Sequence, residues 1–143
     1  MPDIEIIEDF DESALKEREK GNAFVKDKQY EKAIIAYTQS LEDCETKEAF
    51  SNRSLCYYKL GKFDEAIKDA SEALRIDPSY IKPYIRRADS YVKLKQYIQA
   101  LQDYSDALLL KPKNKTVMEK IIATRYERNK ELSKKSDDSK QGV

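Results

Sequence analysis

The chain has no histidine and no tryptophan, and only three glycines, four prolines and two cysteines in 143 residues. Each shortage excludes something. Without histidine there is neither the commonest general base nor the commonest metal ligand, so triads, His-paired cysteines and zinc-protease motifs are ruled out. The sequence therefore reads as non-enzymatic, with no cofactor and no metal. So little glycine and proline leaves too few turn signals for an all-β fold. Cys44 and Cys56 form no CxxC or metal-ligand spacing. With no signal peptide ahead of them they read as reduced packing thiols, which points to a cytoplasmic chain. No apolar run approaches the ~20 residues that a membrane span needs. An excess of one charge is missing too: 27 Lys and Arg face 27 Asp and Glu. Neither nucleic acid nor an anionic membrane is drawn in by bulk charge.

What is present is helix-forming: 38% of residues are charged, 40% are hydrophobic, and Ala, Leu, Lys, Glu and Gln abound. A repeat organises them. Gln29-Tyr30-Glu31-Lys32-Ala33-Ile34, Lys62-Phe63-Asp64-Glu65-Ala66-Ile67 and Gln96-Tyr97-Ile98-Gln99-Ala100-Leu101 are three versions of one motif, 33 and then 34 residues apart. Upstream of each lie a small residue (Gly21, Ser54, Ala88) and an aromatic one (Phe24, Tyr57, Tyr91). Downstream come Ser40, Ala73 and Ala107, each followed by leucine. Small residues let two helix backbones approach, and aromatics at helical spacing fill the space beside them. Each copy thus reads as a helical hairpin with one open apolar face, and stacking buries those faces as one core. The fold expected is all-α: an α-solenoid of three helix-turn-helix repeats, about 14–46, 47–80 and 81–114, with a capping helix at about 115–135. First helices are expected near 14–27, 47–60 and 81–94, and second helices near 30–43, 63–76 and 97–110. Residues 1–12, with six acids and no base, read as a disordered arm, 13–135 as the folded domain, and 136–143 as a disordered tail.

A period near 34 with small, aromatic, Ala, Ala-Leu and Pro at these offsets resembles the tetratricopeptide repeat (TPR). Within that family, Arg18-Glu19-Lys20-Gly21-Asn22, Ser51-Asn52-Arg53 and Lys82-Pro83-Tyr84-Ile85-Arg86 resemble the carboxylate clamp of Hop-type co-chaperones. The resemblance implies a concave groove lined by the first helices, in which Arg18, Asn22, Asn52, Lys82 and Arg86 grip a peptide. It also implies the partner: the C-terminal Glu-Glu-Val-Asp tail of the seventy- and ninety-kilodalton heat-shock chaperones. The chemistry is sensible independently. A chain ending in Asp presents two adjacent carboxylates, which cations and amide donors can neutralise and orient together. Asparagine within a helix is disfavoured by roughly half a kcal/mol against alanine, so Asn22 and Asn52 point to a use.

Bland readings compete with sharp ones. Taken singly, Arg18, Lys82 or Arg86 is a solvated helix charge; five matches on three helices argue otherwise. Val25, Leu55, Tyr58 and Lys59 are possible further groove contacts, or packing and solvated residues. Phe24, Tyr30, Tyr37, Tyr57, Phe63, Tyr91, Tyr97 and Tyr104 read as core. Residues 111–135 carry nine bases against three acids, yet with one interleaved aromatic, Tyr126, they read as a solvated capping helix and not as an RNA site. The alternative function is an assembly scaffold whose groove takes another peptide or helix, with no need for a free carboxylate. Either way the chain is expected to be a monomer.

Overall fold

The computed structural model describes the backbone over residues 2–141 and side chains over residues 12–137. Seven helices follow one another there: α1 (Pro2–Lys26), α2 (Tyr30–Asp43), α3 (Lys47–Lys59), α4 (Phe63–Ile76), α5 (Ile81–Lys93), α6 (Tyr97–Leu110) and α7 (Lys115–Gln141). Apart from the outer ends of α1 and α7, each boundary lies within one residue of its expected place. Those ends run further than the sequence suggests: helix covers Pro2 onward, against the disordered arm expected over 1–12, and continues to Gln141 through most of the expected tail over 136–143. The backbone reason is plain. Proline is well suited to a helix start, and no further proline or glycine interrupts either stretch before Gly21 or after Pro112 up to Gly142.

Each hairpin turns in the same way. Lys28, Gly61 and Lys95 occupy equivalent positions and all have positive φ, at 58°, 77° and 59°. Their N–H groups, and those of the residues that follow, donate back to the last carbonyls of α1, α3 and α5: Lys28 to Val25, Gln29 to Phe24, Gly61 to Tyr58, Lys62 to Tyr57, Lys95 to Val92 and Gln96 to Tyr91. This paired closure satisfies carbonyls that the helix end would otherwise orphan.

Small residues form the innermost layer. Ala33, Ala66, Ala100, Ala70, Ala73, Ala88 and Ala107 are fully buried. Of the aromatic stripe only Tyr37 and Tyr104 are buried; Phe24, Tyr30, Tyr57, Phe63, Tyr91 and Tyr97 are half-buried. Helices held this close leave room for methyl groups between them, and most rings pack along the seams. At Gly21 even a methyl group would not fit: a Cβ there would meet the Tyr37 ring at 2.6 Å.

Ion pairs inside the hairpins repeat in register, and their arginines also reach the hairpin before. Arg53 of α3 grips Asp69 of α4 through two bonds of 2.7 and 2.8 Å, and its third nitrogen reaches Thr38 of α2. One repeat on, Arg87 grips Asp103 at 2.8 and 2.7 Å and reaches Ser71 of α4. Each arginine thus ties its own hairpin together and fastens it to the preceding one. Within the second repeat, Asp77 after α4 takes a bond from Lys47 at the start of α3, and with Ser79 this holds its carboxyl at about 2. The first helices α1, α3 and α5 touch one another in succession, whereas the second helices meet chiefly the first helices beside them. The stack therefore curves with α1, α3 and α5 on its inner side.

Candidate functional site

Three pairs of residues at i and i+4 face the inner side: Arg18 and Asn22 on α1, Glu48 and Asn52 on α3, Lys82 and Arg86 on α5. Such spacing places both members of a pair on one helix face. Asn52 Nδ2 donates to Asn22 Oδ1 at 3.1 Å. The Tyr37 hydroxyl reaches over from α2 and donates to the same oxygen at 2.5 Å. Arg18 Nη1 lies 3.6 Å from Glu48 Oε2, and Arg86 Nε donates to Ser51 Oγ at 3.1 Å. Burial raises the Tyr37 hydroxyl above the ordinary phenol range, and the charges of Arg86 and Arg18 oppose that rise, so both cations stand near it. The structure thus brings Arg18, Asn22, Asn52 and Arg86 into one neighbourhood. Lys82 is exposed one turn from Arg86.

The hydrogen bonds set what the site can offer. With Asn22 Oδ1 accepting two bonds, the Asn22 amide nitrogen is turned away from both donors and keeps its protons for another acceptor. Arg86 is half-buried, and desolvation lowers its pKa without removing its charge. Among the described residues no carboxylate forms an ion pair with it, and its terminal nitrogens have no hydrogen-bond partner. A partly desolvated cation without a counter-ion is costly, and a bound anion relieves that cost. Beneath it, burial pushes the Cys56 thiol up to about 11 although Arg86 opposes the shift, so this cysteine stays a neutral packing group.

The further groove candidates divide. Val25 packs against the cluster of Ala33, Tyr37 and Cys56, which makes it a core contact. Tyr58 is half-buried and meets Phe63 edge-on at 5.7 Å. Leu55 is half-buried beside it, and Lys59 is exposed in the last turn of α3.

Three parts of this surface escape a reading of the sequence. Tyr37 reads there as core only, yet its hydroxyl orients Asn22. Ser51 carries no sign that it supports Arg86. Lys120 falls among the solvated charges of the capping helix, whereas its Nζ bonds both oxygens of Asp89 at 2.8 and 2.9 Å. The Tyr104 hydroxyl donates to Asp89 as well. The repeat register holds the signal: Asp89 and Tyr104 follow Asn22 and Tyr37 by 67 residues each, and Lys120 follows Arg86 by 34. The fourth first-type helix, α7, therefore continues the groove wall.

No helix of the described residues is long and apolar enough to cross a membrane, and no group of three or more His, Cys, Asp or Glu side chains among them is placed to hold a metal ion. Comparison with known proteins agrees with the geometry. Tetratricopeptide repeat models match residues 48–80 and 81–114. The Hsp70-Hsp90 organizing protein 3 of Arabidopsis thaliana is 41% identical over 75 residues, a match that covers 52% of this chain and only 13% of that longer protein. Among solved structures, the Arabidopsis OM64 TPR domain superposes with a TM-score of 0.81 at 32% identity, covering 82% of this chain and 98% of that one. The first TPR of Spaghetti (RPAP3), bound to the HSP90 peptide SRMEEVD, superposes with a TM-score of 0.78 at 30% identity, covering 81% and 93%. Repeat period, paired helices, matched register and near-complete overlap with whole solved domains together place the chain in the tetratricopeptide repeat family.

Proposed function

We propose that the chain is a non-catalytic co-chaperone adaptor, whose groove-bearing unit over residues 13–135 captures the acidic C-terminus of heat-shock chaperones of the seventy- and ninety-kilodalton classes. The observation that carries this reading is Arg86, a half-buried cation with no carboxylate partner among the described residues, set beside the oriented amides of Asn22 and Asn52. In this reading Arg86 and Lys82 take the side-chain carboxylate of a terminal Asp and the charges just upstream. Arg18, Asn22 and Asn52 take the terminal carboxylate, the amides donating without adding repulsion among the cations. Leu55, Tyr58 and Lys59 meet residues further along the peptide. The likeness to a domain bound to SRMEEVD and to an Hsp70-Hsp90 organizing protein supports the choice of ligand. Action as a cytoplasmic monomer fits the same role.

Calorimetry with a peptide ending in Glu-Glu-Val-Asp, beside the same peptide amidated at its C-terminus, tests the proposal. The free acid should bind much more tightly, and Arg86→Ala should weaken its binding by about 2–4 kcal/mol, the usual loss when one member of a hydrogen-bonded charge pair is removed. Equal affinity for the two peptides would instead favour a scaffold that takes peptides without regard to a free carboxylate.

A further inference from the structure

The inner surface also carries, in Glu48, a charge that opposes an acidic ligand. Glu48 stands in the first turn of α3, in the same repeat register as Lys82 one helix along. The three pairs make two rows across the groove: Asn22, Asn52 and Arg86 in one, and Arg18, Glu48 and Lys82 in the other. Glu48 is the acid in the middle of the second row. Its contact with Arg18 is loose. At 3.6 Å, with side chains 25% and 41% exposed, the pair is longer than a charge-assisted hydrogen bond and open to solvent. Exposed pairs of this kind contribute little to stability and exchange readily. To an incoming carboxylate, however, Glu48 matters twice: it occupies Arg18, and it repels the newcomer at short range.

We propose that Glu48 is an internal competitor of the ligand, an acid that loosely engages Arg18 and so lowers the affinity of carboxylate capture. The inference rests on the capture reading above. A merely structural role for Glu48, favouring the start of α3 through the helix dipole, would alter stability and leave peptide affinity alone.

The test is calorimetry on the whole chain with the free-acid and amidated Glu-Glu-Val-Asp peptides, using Glu48→Gln, Arg18→Gln and the double variant, with helicity followed by circular dichroism. Glu48→Gln should tighten binding of the free acid by roughly 2–5-fold at low salt, the scale of one exposed ion pair. The gain should shrink as salt rises, and it should largely vanish in the Arg18→Gln background, since the two residues act on each other. Unchanged or weaker binding by a fully helical Glu48→Gln variant overturns the inference, while the preference of the unaltered chain for the free acid leaves the capture reading standing. Equal binding of the two peptides by the unaltered chain overturns both.

Discussion

Two stations in the groove are built on one plan and end with opposite chemistry. In the first repeat, a tyrosine from the second helix (Tyr37) and a residue of the next first helix (Asn52) both donate to Asn22. In the third repeat, Tyr104 and Lys120 do the same to Asp89. The first station is neutral: its acceptor oxygen is satisfied, and amide protons remain for a ligand. The third is a closed ion pair, with the carboxylate held on both oxygens by one ammonium. A single change of amide to acid at equivalent positions, matched by asparagine to lysine on the following helix, turns a donor surface into a latch for the capping helix. Arg86 lies between them, close enough to feel Asp89 and yet unpaired with it.

A change at Gly21 should disturb the first station most severely. The Tyr37 ring is fully buried and has nowhere to go, so Gly21→Ala should cost about 1–3 kcal/mol of stability, the range for overpacking a tight core, and should disturb the first station while sparing the third. Thermal unfolding together with peptide affinity checks both parts. Tyr37→Phe is gentler. Losing one hydrogen bond should cost about 1 kcal/mol, and freeing the Asn22 amide should weaken the free-acid peptide several-fold with little effect on the amidated one. In the third station Lys120→Met should cost still less, about 1 kcal/mol or below, because the pair is partly open to solvent and such pairs are screened. Its signature should be faster hydrogen exchange in α7 and not a loss of peptide binding.

A pH difference between the stations gives the smallest effect. Cys56 packs against Tyr37 in the first station, while the equivalent residue toward the third is Ser90, which does not titrate. Burial lifts the Cys56 thiol to about 11 in the folded chain, against about 8.5 for an unfolded cysteine. Between those values the unfolded chain releases a proton that the folded one keeps, so this contribution is fully present below about pH 8.5 and is lost as pH rises toward 11. Melting temperature should fall over that window, and Cys56→Ala should reduce the fall.

Much of this architecture is legible in the order of the residues. A 33- to 34-residue period with small residues at fixed offsets dictates hairpin helices, since only close backbone approach explains glycine, serine and alanine in one register. The pairing of Arg18 with Asn22 and of Lys82 with Arg86 is equally readable, because four residues along a helix return to one face. Which side chains meet across helices is not. Tyr37 looks like core because it is core, and nothing local to it says that its hydroxyl ends on Asn22. Lys120 looks like any other base of a basic helix until the repeat register is carried into α7, and the packing of α7 then gives it Asp89.

Sequence alone determined the number of hairpins, their boundaries within a residue at all but the outer ends, and the i, i+4 placement of Arg18 with Asn22 and of Lys82 with Arg86, since periodicity and turn chemistry are properties of the chain order. Tertiary structure decided which charges are spent and which remain available. Arg53 and Arg87 close on Asp69 and Asp103, Lys120 closes on Asp89, and Arg86 keeps its terminal nitrogens without a carboxylate partner among the described residues. The difference is set by distances of a few ångströms between helices far apart in sequence, where packing decides whether two opposite charges can touch.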